Sequence, residues 1–293
     1  MIYRKKILLA LTELFGVELS ATRFQKLLFI FSNECITQEY HFIPYKFGCF
    51  SFQSMRDKKK LIEEDFLENK NTWILRKKNS SYLNELTKSD QEQLLRLKKE
   101  FKNYSTHELI KHVYLNYPYY AINSEIAPKH LSPKELNTIE VASVFEEGVN
   151  LFTIGYEGKS LEQYLNILIR KNVNVLCDVR KNPLSRKYGF SKKTLQNACE
   201  AVNIKYFHLP ELGITSEKRK SLNCQADFDK LFLEYDKTII PKEGKSLQII
   251  LQLINKYRRV ALTCYENLPV QCHRSRVANA LHKLEVSIPL THL

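Results

Sequence analysis

Val260-Ala261-Leu262-Thr263-Cys264-Tyr265-Glu266-Asn267-Leu268-Pro269-Val270-Gln271-Cys272-His273-Arg274-Ser275-Arg276 is the stretch on which the reading of this chain turns. Its first four residues have the apolar content and length of a buried strand. The residues that follow it, Val277-Ala278-Asn279-Ala280-Leu281, have helical character. A buried strand thus delivers two thiols, a carboxylate, an imidazole and two guanidiniums into one short loop. Open α/β sheets bind ligands beyond the carboxyl ends of their strands.

Other runs upstream repeat the pattern. Asn150 to Tyr156, Asn174 to Arg180 and Ile204 to Leu209 read as strands, with helical patterns at Ser160 to Arg170, Lys192 to Val202 and Leu247 to Tyr257. Strands alternating with helices predict an α/β fold, a Rossmann-like parallel sheet, over residues 150–293. Residues 1–122 read differently. Amphipathic helices at 4–15, 22–34 and 51–67, with a short strand at 73–78, suggest a mainly helical, winged-helix-like domain, a module that docks on duplex DNA. A small helical scaffold that binds protein would look the same. The basic run Arg56 to Lys60 would suit phosphates, and Tyr114, Tyr117, Tyr119 and Tyr120 suggest base stacking or interdomain packing. Residues 123–149, with Pro128 and Pro133 and no strong period, read as a linker.

The 293 residues carry a formal charge of +13. From Asn150 onward there are 23 Lys and Arg against 13 Asp and Glu, a net of +10, so the half with the candidate chemistry is the more basic. A polyanionic partner follows, and DNA is the expected one. No stretch is apolar for long enough to span a membrane, and the N-terminus lacks a signal-peptide pattern, so a cytoplasmic protein without a membrane partner is expected. Seven scattered cysteines do not suggest a disulfide framework.

Several chemistries are disfavoured. Gly155-Tyr156-Glu157-Gly158 is not a dinucleotide fingerprint, and no Walker-type sequence is present. Cys272 lacks an arginine at the spacing of phosphatase-type or rhodanese-type thiolate loops. Zinc deaminases need H-x-E followed by P-C-x-x-C, which this loop does not match. Cys264, Cys272 and His273 have an unusual ligand spacing. The expectation is therefore no metal and no cofactor. What remains are strand-end carboxylates and arginines. Asp178 and Glu266 are the candidate catalytic groups, with Glu266 preferred because Arg180 is a ready structural partner for Asp178. Arg180, Arg186 and Arg274 are expected to bind phosphate in a forked geometry. Tyr156, Ser185, Glu211, Cys264 and His273 complete the expected substrate-binding set.

Thr153-Ile154-Gly155-Tyr156, Asp178-Val179-Arg180 with Asn182-Pro183 and Ser185-Arg186, Leu209-Pro210-Glu211-Leu212-Gly213, and Cys264-Tyr265-Glu266 with Pro269 and Cys272-His273-Arg274 together resemble the family called domain of unknown function 488. The resemblance runs from about Leu151 to the C-terminus. It implies a Rossmann-like fold and an enzyme. The first strand of that family often reads T-I-G-H-S, and Tyr156-Glu157 departs from it, so no role for that histidine carries over.

Metal-dependent nucleases need several close carboxylates, which this rim mixes with arginines. A reaction at a sugar carbon suits the inventory better. The expected function is a metal-independent DNA glycosylase that flips a modified base out of double-stranded DNA, for which antiviral defence is a setting by analogy. The rival expectation is a winged-helix DNA-binding regulator whose α/β domain senses a nucleotide-like ligand.

Overall fold

A computed structural model describes residues 1–16, 18–76, 81–143, 146–219, 222 and 224–293. The chain divides into two units, Met1–Val144 and Phe145–Leu293. In the first, α1 (Tyr3–Phe15), α2 (Ala21–Glu34) and α3 (Phe52–Glu63) are accompanied by a hairpin of β1 (Ile43–Tyr45) and β2 (Gly48–Phe50). Four further helices follow: α4 (Lys88–Phe101), α5 (Thr106–Asn116), α6 (Ala127–His130) and α7 (Pro133–Ala142).

The structure differs from the expectations for this half. Residues 123–142 are not a free linker: Ser132 caps α7 in a reciprocal box with Glu135, and Ala127, Leu131 and Ile139 belong to the core of the first unit. The stretch 73–76 forms isolated bridges, Leu19 with Trp73 and Leu67 with Leu75, rather than a wing strand; Lys77 and Lys78 lie outside the described residues. The hairpin lies between α2 and α3, ahead of the third helix. In the basic run Arg56, Lys59 and Lys60 are exposed, while Lys58 is turned inward. Lys58 is buried and donates to the carbonyls of Lys70, Asn71 and Thr72 at 2.9, 3.0 and 2.9 Å, and burial lowers its pKa to about 8. Tyr114 is buried in the same core, while Tyr117 and Tyr120 pack edge-on against Phe29. These aromatics serve the unit's own packing.

The second unit is the α/β domain. Five parallel strands among the described residues, β3 (Asn150–Gly155), β4 (Val175–Asp178), β5 (Lys205–His208), β6 (Arg259–Cys264) and β7 (Leu290–His292), lie in the order β5-β4-β6-β3-β7. The sheet is Rossmann-like. β4 and β6 are buried along their whole length, as strands covered on both faces must be. β5 alternates because it is an edge.

Successive side chains of β6 serve opposite faces. Val260 and Leu262 join Ile250 and Ile254 of α11 (Gly244–Tyr257) and Val277 and Leu281 of α12 (His273–Leu284) in one core. On the other face Tyr164 of α8 (Leu161–Arg170) donates to Thr263 Oγ1 at 2.7 Å. α8 begins in a box between Ser160 and Gln163. α9 (Lys192–Glu200) and α10 (Gln225–Thr238) complete the layers. β7 is absent from the sequence reading: three residues carry too little pattern to be told from a tail. No described helix is long and apolar enough to cross a membrane.

Candidate active site

The register of the sheet brings the chemistry together. Gly155 lies opposite Cys264, and Asp178 opposite Thr263, so the carboxyl ends of β3, β6 and β4 form one rim. The loop after β6 folds over the end of β3: a Cβ at Gly155 would lie 1.9 Å from the Glu266 carbonyl oxygen. Only glycine fits that approach. Gly155→Ala is therefore expected to lift the loop and cost roughly 1–3 kcal/mol, the usual range for overpacking. A denaturant midpoint equal to that of the unsubstituted protein would show that the loop can give way freely.

Asp178 is fully buried and committed. It receives Arg180 Nε at 2.8 and 3.0 Å, Arg180 Nη2 at 2.5 Å, the Arg180 backbone N–H at 3.1 Å and the Tyr206 hydroxyl at 2.6 Å. Arg180 Nη1 donates to the Tyr156 hydroxyl and the Phe190 carbonyl, both at 2.9 Å. Burial opposes the Arg180 charge, but the bonds and charge of Asp178 outweigh it and raise its pKa. Asp178 and Arg180, expected as a catalytic carboxylate and a phosphate ligand, are thus paired with each other and with internal partners, with Arg180 also on the wall of the cleft. Arg274, also expected at phosphate, faces its own loop. It is fully buried, and its guanidinium clamps the loop through the carbonyls of Glu266 and Asn267.

Glu266 stands differently. Its side chain is 18% exposed; one oxygen accepts from Arg219 Nη1 at 2.8 Å and the other lies 3.3 Å from Cys264 Sγ. Burial, then the neighbouring Cys264, raises its pKa above the usual carboxylate range. His273, at the first position of α12, donates from Nε2 to the Val179 carbonyl at 2.8 Å. A carbonyl can only accept, so the proton is on Nε2 and the Nδ1 lone pair faces Arg219 Nη2 at 2.7 Å and Cys264 Sγ at 3.8 Å. Burial alone would push Cys264 up. The hydrogen bond from Cys272 and the charge of the Arg219 guanidinium hold it well below the ordinary thiol range, while burial and Cys264 push Cys272 well above it.

A cleft of about 310 Å³ opens on this rim, lined in part by Tyr156, Arg180, Lys181, Ser185, Arg186, Arg219, Cys264 and Tyr265. Tyr156 is stacked on Phe190 with ring centroids 4.3 Å apart, and the exposed Tyr265 meets Tyr156 edge-on at 5.3 Å. Arg186 and Lys181 are exposed at the mouth. Of the expected set, Tyr156, Arg180, Ser185, Arg186 and Cys264 line the cleft, and Glu266 and His273 adjoin it through Arg219 and Cys264. Glu211 is exposed in the turn after β5 and does not line the cleft.

Residues 160–281 match the family model of the domain of unknown function DUF488. The DUF488 segment takes in α8 to α12 and therefore β4, β5 and β6 with their loops, but neither β3 nor β7. It holds Asp178, Arg180, Arg219, Cys264, Glu266, Cys272 and His273, while Gly155 and Tyr156, which complete the rim, lie before it. The match does not extend into the first unit. No curated protein and no solved structure matches the chain.

Arg219 and Tyr206 are not legible as site residues in the sequence. Arg219 sits in a stretch of mixed composition with no period, and nothing local marks it as the partner of Glu266, 47 residues later. Tyr206 could be found from its strand: it lies opposite Leu176 in β4, near the carboxyl end where Asp178 stands.

Proposed function

We propose that the α/β unit is a hydrolase acting on DNA that cleaves an N-glycosidic bond, with Glu266 as its catalytic carboxylate. One observation carries the reading: the Glu266 carboxylate is half-buried beside a small cationic cleft, held by Arg219 on one oxygen and 3.3 Å from the Cys264 sulfur on the other. A cleft near 310 Å³ is at the small end of ligand sites and has room for a nucleoside-sized group, not for a duplex. A base in DNA would reach it only by flipping out of the stack. Lys181 and Arg186 at the mouth offer contacts to the flanking phosphates, and Tyr265 offers an exposed ring for stacking.

Cleavage of the bond from base to sugar passes through an oxocarbenium-like state. A carboxylate with a raised pKa suits the direction of a water onto the sugar carbon and the removal of its proton. With Asp178 spent on Arg180, Glu266 takes this role alone. Cys264, Cys272 and His273, which have no recognised ligand spacing along the chain, bring their ligand atoms within 4.8 Å of one another in the folded loop.

The test is incubation of the full chain with duplex and single-stranded DNA holding normal or modified bases, scored for free base and alkali-labile sites. Release of a base with an intact sugar–phosphate chain is the expected product. Binding should weaken steeply with salt, given the net charge of +13. DNA binding without any product across such a panel would favour the regulator instead.

A further inference from the structure

We infer that Cys264, Cys272 and His273 form a binding site for a zinc ion whose fourth position faces Glu266 and the cleft. The Sγ atoms of both cysteines and a ring nitrogen of His273 lie within 4.8 Å of one another, and all three residues are buried. Zinc bonds of about 2.3 Å to sulfur and 2.0–2.1 Å to nitrogen place tetrahedral ligands roughly 3.5 Å apart. The separation of 3.8 Å between Cys264 Sγ and His273 Nδ1 already comes close to that.

Three independent features point the same way. The His273 Nε2–H is tied to the Val179 carbonyl, which turns the Nδ1 lone pair inward; this is how metal-ligating histidines are oriented by the groups behind them. Two of the three ligands, Cys264 and His273, already face a cation. The Arg219 guanidinium lies against Glu266 Oε1, His273 Nδ1 and Cys264 Sγ at 2.8, 2.7 and 3.9 Å, so three acceptors converge on one positive charge. Zinc would take the guanidinium's place at Cys264 Sγ and His273 Nδ1, with Cys272 Sγ as its third ligand. Two thiolates and a neutral imidazole would also balance the charge of a divalent ion, which a buried site requires. Soft sulfur and imidazole donors select zinc over magnesium or calcium.

The site has an entry path, because Cys264 and Arg219 both line the cleft. Three protein ligands with an open fourth position is the pattern of a zinc site that holds a water or substrate atom. Glu266, with one oxygen 3.3 Å from Cys264 Sγ, stands where it would hydrogen-bond a water in that position. The inference goes beyond the glycosidic reading and does not depend on it.

The experiment is metal analysis of the untagged full-length protein, purified under reducing conditions and then equilibrated with zinc alone and desalted. The expected result is close to one zinc per chain. His273→Ala should lower zinc retention at least tenfold, and His273→Cys should restore it, since a third thiolate is an equally good ligand. Because a substituted protein could fail to fold, the unsubstituted protein is also loaded with cobalt, where thiolate charge-transfer absorption is expected. A reduced protein that retains no zinc and shows no such absorption would overturn the site. So would equal zinc retention in the unsubstituted protein and His273→Ala. Neither readout uses DNA, so failure here leaves the glycosidic reading standing, and absence of base release leaves the zinc site standing.

Discussion

Glu266→Gln is expected to lower base release by about 10²–10⁴-fold, the usual worth of a positioned general acid or base. Glutamine has nearly the shape of glutamate but cannot take a proton from water. The backbone of the loop should stay in place, because its clamp is Arg274 on the carbonyls of Glu266 and Asn267, which the substitution does not touch. Arg219 loses its charge partner and keeps His273 Nδ1 as an acceptor. The unfolding midpoint and the affinity for DNA should therefore change little while turnover collapses. Single-turnover base release, measured beside a denaturant titration, separates these effects. Normal turnover in Glu266→Gln on a confirmed substrate would remove Glu266 from the chemistry and, with it, the reading of the cleft as a glycosidic site.

Asp178→Asn should behave in the opposite way. It leaves the Arg180 guanidinium buried with no counter-charge, and breaking a buried pair from one side costs about 3–5 kcal/mol. The loss spreads, because Arg180 also ties Tyr156 to the Phe190 carbonyl, and its own carbonyl meets His208 Nε2 at 2.9 Å. The amide oxygen that replaces the carboxylate could still accept from the Tyr206 hydroxyl, so the fold should weaken without being abolished. The expected signature is a large drop in the denaturant midpoint, with activity lost only in proportion to the unfolded fraction. A variant that is as stable as the unsubstituted protein but inactive would return Asp178 to catalysis and reverse the roles assigned to the two carboxylates.

The contrast between these residues shows how much a sequence pattern conveys about a site. Both carboxylates stand at the end of a buried strand, and both are near arginine in sequence. Asp178 has its partner two residues away, a separation at which a bend after a strand lets the side chains meet, so the pairing is legible. Glu266 has its partner 47 residues earlier, in a stretch with no period, and no local rule could supply it. Arg274 illustrates the reverse failure. Its place beside a strand end suggests a phosphate ligand, yet it faces the backbone of its own loop.

Buried strands announce themselves by continuous apolar composition, because in a parallel sheet both faces are covered. Asn150 to Gly155, Val175 to Asp178 and Arg259 to Cys264 are therefore readable from residues alone, and so are the parallel sheet and the rim on which its ends meet. Helix starts are readable where a serine caps them, as at Ser160. The tertiary structure alone decided the rest. Residues 127–142, where Pro128 and Pro133 read as turn signals, became helices because their apolar side chains had a core to enter. Most consequentially, Cys264 and the Cys272-His273 pair are eight and nine residues apart along a loop of no recognised ligand spacing. The loop doubles back over Gly155, where the missing side chain lets it pass, and only that fold sets two sulfurs and a nitrogen around one point. Spacing along a chain constrains ligand geometry only when the intervening backbone is regular, and here it is a turn whose path is set by the strand beside it.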